Sequence, residues 1–348
     1  MKYTSPRQPP RQFVVCCVVA AMTMLAASSP LAADDRPLPK KVPLTPNATT
    51  KGFDFETEQM KGTIQLEGAY HGVTALIDKP TGRQVIDPRY SALNLFKLLA
   101  VNAFMGEPRS MNRAIQAGPD WVEVKWPATE MYEGEITARY EVYDPAAVEM
   151  TVRVNSQGNY AAHEIFLSSY FDKVLKPHVY LQPLPGAPVP EPEIIVPLVN
   201  DLFRGTLPVF PRDAHAARRC IDGRWDRNEF GTPTVQMCPL RRYGHCLAFM
   251  ADPERTLGVV LMSRPRDCYA ISSRYHADND ADRLTSYSAF DLSLFGDDLL
   301  PGDERSVTVR LALTPLDGEM SQPLKLYQSF LAEAEQPHGD PTSKGAQP

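Results

Sequence analysis

A charged segment in the last third of the chain combines an imidazole with carboxylates. This segment, SSRYHADNDADR, contains Arg274, His276 and Asp278. Imidazole exchanges protons near neutral pH, so His276 as general acid and Asp278 as base form a candidate catalytic pair. Arg274 adds a forked cation that hydrogen-bonds hydroxyl or carboxylate groups. A solvated acidic turn is the simpler interpretation of the same residues.

The alternating acids in DNDAD also suggest a calcium loop. An EF-hand loop that began at Asp278 would need glycine at its sixth position and glutamate at its twelfth, where this chain has Arg283 and Ala289. The EF-hand pattern is therefore not met, although calcium binding of another type stays open. We predict no metal site and no cofactor.

A second candidate segment is HEIFLSSYFDKV, which begins at His163. Read as a strand, it places Glu164 and Tyr170 on one face and His163 on the other. Glu164 is an alternative general base, and Tyr170 is a candidate stacking platform. Because both faces mix apolar and polar groups, the segment fits either a core strand with a buried histidine or the floor of a binding cleft.

Two further residues are suited to a hydroxyl-rich ligand. Arg109 lies in the polar segment GEPRSMNR, and Trp225 lies in the charged segment CIDGRWDRNEFG, where we expect it to be exposed. Aromatic faces stack on the apolar C–H side of a sugar ring, and arginine binds hydroxyls or carboxylates. For Arg109, simple solvation at the surface is an equally good interpretation.

Several classes of function have no motif behind them. The sequence contains no GxGxxG or GxxxxGK[ST] loop, no GxSxG and no HExxH. Nucleotide binding, serine hydrolysis and zinc proteolysis are therefore unsupported.

Alternating apolar residues predict strands along most of the chain. The segments ITARYEVY and VEMTVRVN alternate on both sides of a DPAA turn, which is typical of an antiparallel pair. We predict an all-β protein built as a large antiparallel β-sandwich with few short helices. The apolar spacing of residues 91–104 suggests one helix, and that of residues 322–336 suggests another.

The N-terminus resembles an export signal. Residues 1–33 combine three basic residues, an apolar run and small residues before a cleavage point after Ala33. The run is shorter than the ~18–20 residues that span a bilayer, so we predict cleavage, no membrane span, and a secreted or periplasmic protein. Cleavage takes the net charge from −6 to −9, with 33 basic against 42 acidic residues left, which argues against a nucleic-acid partner.

The rest of the chain is predicted to form one unit. Residues 34–54 are proline-rich and are interpreted as a linker, residues 55–335 as a single sandwich domain, and residues 336–348 as a disordered tail. Residues 181–197 hold six prolines and are interpreted as a crossing loop within the sandwich. Four cysteines remain after cleavage, so at least one disulfide is expected, with Cys220 and Cys238 as one candidate pair.

Several phrases resemble the galactose mutarotase-like supersandwich, the superfamily of the aldose 1-epimerases. ITARYEVYDPAAVEMTVRV is similar to the hairpin that starts the central sheet of those proteins, and SSYFD is similar to their HxYFN signature. In that comparison Ser168 stands where an epimerase has its catalytic histidine. The resemblance implies a saccharide ligand, while the serine puts the standard proton-transfer mechanism in doubt.

Three hypotheses follow, in order of preference. The first is an exported carbohydrate-binding or carbohydrate-processing protein without the epimerase histidine motif. The second is an epimerase or lyase-like enzyme with a rearranged acid and base pair. The third is a non-catalytic interaction module of the cell envelope.

Overall fold

The computed structural model describes residues 39–199, 206–225, 235–237 (backbone only), 241–275 and 287–333. In chain order, the strands are β1 (Thr45–Asn47), β2 (Gly52–Glu56), β3 (Met60–Gln65), β4 (Gly72–Asp78), β5 (Asn94–Ala100), β6 (Ala103–Gly106), β7 (Ala114–Ala117), β8 (Trp121–Trp126), β9 (Gly134–Tyr143), β10 (Ala147–Ser156), β11 (Glu164–Phe171), β12 (Lys176–Leu181), β13 (Glu193–Ile195), β14 (Thr206–Pro211), β15 (Val235–Met237), β16 (Tyr243–Ala251), β17 (Leu257–Ser263), β18 (Cys268–Arg274), β19 (Ser288–Phe295) and β20 (Glu304–Pro315). The helices are α1 (Ala214–Arg219), α2 (Gln322–Glu333) and a short 3₁₀ helix, Pro108–Ser110.

Three sheets contain these strands, and the predicted all-β sandwich is confirmed. The four-stranded sheet has the order β1-β2-β3-β4, the nine-stranded sheet β13-β12-β16-β17-β20-β10-β9-β8-β7, and the seven-stranded sheet β15-β14-β18-β19-β11-β5-β6. Neighbouring strands pair antiparallel, except β14 and β15, which are parallel.

The hairpin of β9 and β10 follows the predicted alternation. Every second residue of both strands is buried, from Ile136 to Val142 and from Val148 to Val154. These side chains share one hydrophobic core with Ile165 and Leu167 of the seven-stranded sheet. A hydrogen bond from the Tyr140 hydroxyl to the Leu93 carbonyl, 2.8 Å long, also crosses this core. The two large sheets therefore pack face to face.

The helix predicted over residues 91–104 is wrong. This segment forms β5 and β6, which pair with each other, and β5 also pairs with β11. Six of the seven residues of β5 are buried, so both faces of the strand are covered. A strand covered on both faces has the continuous apolar run of a helix. The predicted C-terminal helix is confirmed as α2, which buries Tyr327 and Phe330.

Some predictions about the chain ends and cysteines stay predictions. Residues 1–38 and 334–348 lie outside the described residues, and they include the predicted signal sequence and the predicted tail. Within residues 39–54, which we assigned to a linker, β1 and the start of β2 add to the four-stranded sheet. Cys220, Cys246 and Cys268 form no disulfide among the described residues, and Cys238 lies outside them.

Gly72 offers a test of how tightly β4 approaches the segment before β5. Its φ is +109°, and an added Cβ would lie 2.3 Å from the Ala92 carbonyl oxygen. We expect Gly72→Ala to lower the free energy of unfolding by about 3 kcal/mol, through backbone strain and overpacking. Gly68 also has a positive φ, +84°, but nothing within 4 Å of an added Cβ. Gly68→Ala should therefore cost only about 1–2 kcal/mol in urea unfolding, and equal losses would contradict this explanation.

Candidate functional site

The outer face of the seven-stranded sheet, turned away from the main core, is also covered. Strand β11 directs Ile165 and Leu167 into the core and places Phe166, Ser168 and Tyr170 on the opposite side. All eight residues of β11 are nevertheless buried. The strand is therefore both a core strand and the floor of a second, enclosed region.

His163 precedes this strand and packs among aromatic rings. Its ring lies 5.6 Å from that of Tyr132 and 5.6 Å from that of Phe295, and it is fully buried. Burial, reinforced by the positive charge of Arg224, lowers the pKa of His163 to about 3. The imidazole is thus neutral at physiological pH and serves as a packed core residue.

Four polar side chains form a row across the outer face. Strand register places Asn94 of β5 beside Ser168 of β11, Ser168 beside Asp291 of β19, and Asp291 beside Ser272 of β18. Cross-strand partners share a face and lie roughly 5 Å apart, so the row spans four strands. We call Asn94, Ser168, Asp291 and Ser272 the polar row.

The polar row is buried but leaves its hydrogen-bonding groups unused. All four residues are at most 1% exposed. Within the described part of the chain, both amide atoms of Asn94, both serine hydroxyls and both carboxylate oxygens of Asp291 have no hydrogen-bond partner. Each such group costs folding about 1–3 kcal/mol, and native proteins keep few of them. A cluster of them on one sheet face marks a candidate binding site.

Arg274 extends over the polar row. Its Nε lies 3.5 Å from Asp291 Oδ2, and its Nη1 donates a hydrogen bond to the Tyr287 hydroxyl at 3.1 Å. Burial raises the pKa of Asp291, and the Arg274 guanidinium only partly opposes this. Asp291 is therefore a carboxyl group suited to proton exchange at higher pH than an ordinary aspartate.

Four tyrosines flank the row at one end. Tyr170 contacts the other three, with ring centroids 4.7 Å from Tyr90, 5.2 Å from Tyr287 and 5.9 Å from Tyr70. We call these four residues the tyrosine wall. It combines flat apolar faces with hydroxyl groups, and the predicted platform Tyr170 lies at its centre.

A second aromatic group lies beyond the other end of the row. Trp225 packs edge-on against Phe166, with ring centroids 4.7 Å apart. The tryptophan is only 6% exposed, so the expected exposure of this residue is wrong. Its indole covers the sheet, which leaves its predicted role as a stacking platform untested.

Glu164 is held by Arg224, which belongs to the same charged segment as Trp225. Arg224 Nη1 lies 2.7 Å from Glu164 Oε2 and 3.0 Å from the Tyr269 hydroxyl, and Arg224 also pairs with Asp222. Glu164 lies four residues from Ser168 along β11, roughly 13 Å at the usual rise of a strand. The structure therefore does not place Glu164 beside Asp291.

Arg109 belongs to a small charged group at the edge of β5. Its Nε lies 2.6 Å from Glu107 Oε2, and Lys97 Nζ lies 3.6 Å from Glu107 Oε1. Glu107 and Arg109 line a cavity of about 810 Å³ together with Phe104 and three methionines. Lys97 is directed to the same sheet face as Phe166, its partner in register.

The structure thus brings together part of the predicted site. Arg274 and Tyr170 meet at the polar row, while His276 and Asp278 lie outside the described residues. Asn94 and Asp291, the residues that the sequence analysis missed, are single polar residues inside apolar strands. Such an interruption was the available signal, since a charge in a buried strand is costly without a function.

Two features are absent from the described part of the chain. No three histidine, cysteine or acidic side chains there are grouped closely enough to hold a metal ion. No described helix is both long and apolar enough to cross a membrane.

Fold and site together define an all-β protein with a buried polar row on one sheet face. No family model matches the sequence, and no curated protein matches it. Solved structures do match, at low similarity. A putative aldose 1-epimerase from Escherichia coli K12 is 9% identical, with a TM-score of 0.45, over 76% of this chain and 99% of that chain.

Two further matches are of the same kind. Galactose 1-epimerase from Lactobacillus acidophilus NCFM is 11% identical, with a TM-score of 0.39, over 79% of this chain and 98% of that one. A heparan sulfate lyase mutant from Pedobacter heparinus is 6% identical, with a TM-score of 0.41, over 78% of this chain and 36% of that one. All three matches have identities of 6–11% and TM-scores below 0.5.

Proposed function

We propose that this chain is an exported carbohydrate-binding or carbohydrate-processing protein whose site is the polar row. The observation that carries the proposal is the row itself: amide, hydroxyl and carboxyl groups that are buried and unpartnered among the described residues. Sugar rings present several hydroxyls at spacings of a few ångströms, and each hydroxyl both donates and accepts. The row offers the matching donors and acceptors on four adjacent strands.

The surroundings of the row support the same ligand class. The tyrosine wall offers flat apolar faces for the C–H side of a pyranose, and Arg274 offers forked donors for neighbouring hydroxyls. In this proposal Ser168 occupies the place of the epimerase histidine, so the chain lacks the standard imidazole. Trp225 and Arg109 then lie at the periphery of the site.

A second candidate function is an epimerase or lyase-like reaction with a rearranged acid and base. The observation in its favour is that the pKa of Asp291 is raised by burial, while burial also lowers the pKa of Lys97 to about 8. Both shifts bring the pKa closer to neutral pH, which is typical of groups that exchange protons in catalysis. Polarimetry of freshly dissolved galactose and glucose tests it, and a rate equal to that of buffer alone would remove the epimerase.

The binding proposal predicts a specific result for Asn94→Leu. Neither amide atom of Asn94 bonds to the described residues, so leucine should cost the fold little. Loss of the amide should weaken saccharide binding roughly tenfold, the value of one or two hydrogen bonds. Tryptophan and tyrosine fluorescence during titration with an oligosaccharide panel measures the affinity.

The matched control is Asn155→Leu, an exposed position at the end of β10. This variant should bind as the unmodified protein does. If Asn94→Leu binds every saccharide with unchanged affinity, the polar row is not the binding site.

A further inference from the structure

We infer that the ligand of this site carries a negative charge, as in a uronic acid or a sulfated sugar. The inference rests on the proposed function, because it names the chemical class of the saccharide. It depends on the charged side chains that surround the polar row, and in particular on Lys97.

Lys97 is a buried cation with little to neutralise it. The residue is 2% exposed, and its ammonium lies 5.2–5.4 Å from the ring centroids of Phe96, Phe104 and Trp225. Its ion pair with Glu107 is 3.6 Å long, which exceeds hydrogen-bond length. Because its contacts are aromatic rings and a carboxylate beyond hydrogen-bond length, the ammonium has N–H donors to offer an anionic oxygen.

The Glu107 carboxylate also forms an ion pair with a second cation, Arg109. Its other oxygen lies 2.6 Å from Arg109 Nε, and the Arg109 guanidinium stacks 4.5 Å from the Phe96 ring. One carboxylate thus faces two cations. Since Glu107 Oε1 has no hydrogen bond among the described residues, this group is incompletely satisfied.

Arg274 adds a third positive charge on the same sheet face. Burial lowers the pKa of Lys97 most, Glu107 raises it, and Arg109 and Arg274 each lower it, so both arginines lie within electrostatic reach of Lys97. Among the described residues, Glu107 pairs with Lys97 and Arg109, and Asp291 pairs with Arg274, so three cations face two carboxyl groups.

The neighbouring Arg224 does not alter the character of this group. Its guanidinium is taken up by the carboxylates of Glu164 and Asp222, both within 2.7 Å. The cavity of about 810 Å³ that Glu107 and Arg109 line is large enough for at least one sugar ring, and Lys97 adjoins this lining through its 3.6 Å ion pair with Glu107. A carboxylate or sulfate near Lys97 and Arg274 would balance the charge of the site.

Matched ligand pairs test the inference on the unmodified protein. Trigalacturonate and its methyl ester differ in charge, and so do cellotriuronate and cellotriose. We expect each acidic ligand to bind at least about tenfold tighter than its neutral partner in titration calorimetry at low salt. The advantage should shrink as sodium chloride is raised, because salt screens the attraction.

Lys97→Met identifies the residue responsible. This variant should lose most of the preference for the acidic ligand, so that the acidic and the neutral member of each pair bind with similar affinity. Lys125→Met removes a lysine from the other large sheet, where it pairs with Glu135 at 43% exposure, and should change neither affinity. If Lys97→Met does not fold, the ligand pairs on the unmodified protein still decide the question.

The possible failures are distinguishable. If neutral and acidic ligands bind equally, or neutral ones bind better, the charge inference is overturned while the carbohydrate proposal stands. If neither member of either pair binds, both are contradicted for these sugars. If the preference survives in Lys97→Met, the acidic group is recognised elsewhere and this assignment is wrong.

Discussion

An Arg224→Met variant is expected to lose about 3–5 kcal/mol of unfolding free energy. Arg224 and Glu164 are each 1% exposed and lie 2.7 Å apart, and the same arginine neutralises Asp222. Methionine fills similar space but leaves the buried Glu164 carboxylate without its cation. Urea unfolding followed by fluorescence would measure the loss as a lower midpoint with unchanged slope.

Two comparisons make the Arg224 result specific. Arg83→Met removes an exposed pair with Glu254 and should cost less than about 1 kcal/mol. Adding Glu164→Gln to Arg224→Met should restore part of the lost stability, since it removes the stranded charge. Equal losses at Arg83 and Arg224 would contradict the assignment of a buried charge network.

An Asp291→Asn variant is expected to separate stability from binding. Neither oxygen of Asp291 has a hydrogen bond among the described residues, and its ion pair with Arg274 is long at 3.5 Å, so the amide should fold about as well as the carboxylate. Saccharide binding should weaken roughly tenfold, because one of the two acceptor oxygens that face the ligand is replaced by an amide donor. Fluorescence titration and urea unfolding on the same sample would measure both quantities.

The stability difference between Asp291→Asn and the unmodified protein should change with pH in one direction. Burial raises the pKa of Asp291 above its unfolded value of 3.8, so between the two values the folded state holds a proton that the unfolded state has released. Stability of the unmodified protein therefore falls as pH rises through this window. The advantage of Asp291→Asn should grow over the same window and remain constant above it.

Asp252→Asn is expected to show the opposite pH dependence of stability. Burial raises the pKa of Asp252, but hydrogen bonds from the backbone of Leu257 and Thr256 outweigh it and lower the pKa. Asp252→Asn should therefore be less stable than the unmodified protein at neutral pH. This difference should close as pH falls through the lowered pKa. Parallel pH trends for the two variants would refute the contrast.

The strands were predictable wherever one face of a sheet is polar. In β9 and β10 the outward residues are mostly charged or polar, so apolar and polar residues alternate along the sequence. Both strands lie where this alternation predicts. In β5 and β11 both faces are covered, and the period disappears. That loss led to the wrong helix over residues 91–104, since an apolar run covered on both sides does not distinguish strand from helix.

By itself, the sequence determined the all-β class, the β9–β10 hairpin and the C-terminal helix, and it drew attention to Arg274 and Tyr170, which lie at the polar row. These follow from local patterns or from side chains whose chemistry stands out in their segment. Only the tertiary structure decided that Asn94, Ser168, Asp291 and Ser272 form one row. Their strands β5, β11, β19 and β18 are far apart in the chain, and their register is set by packing between sheets, which no local pattern encodes.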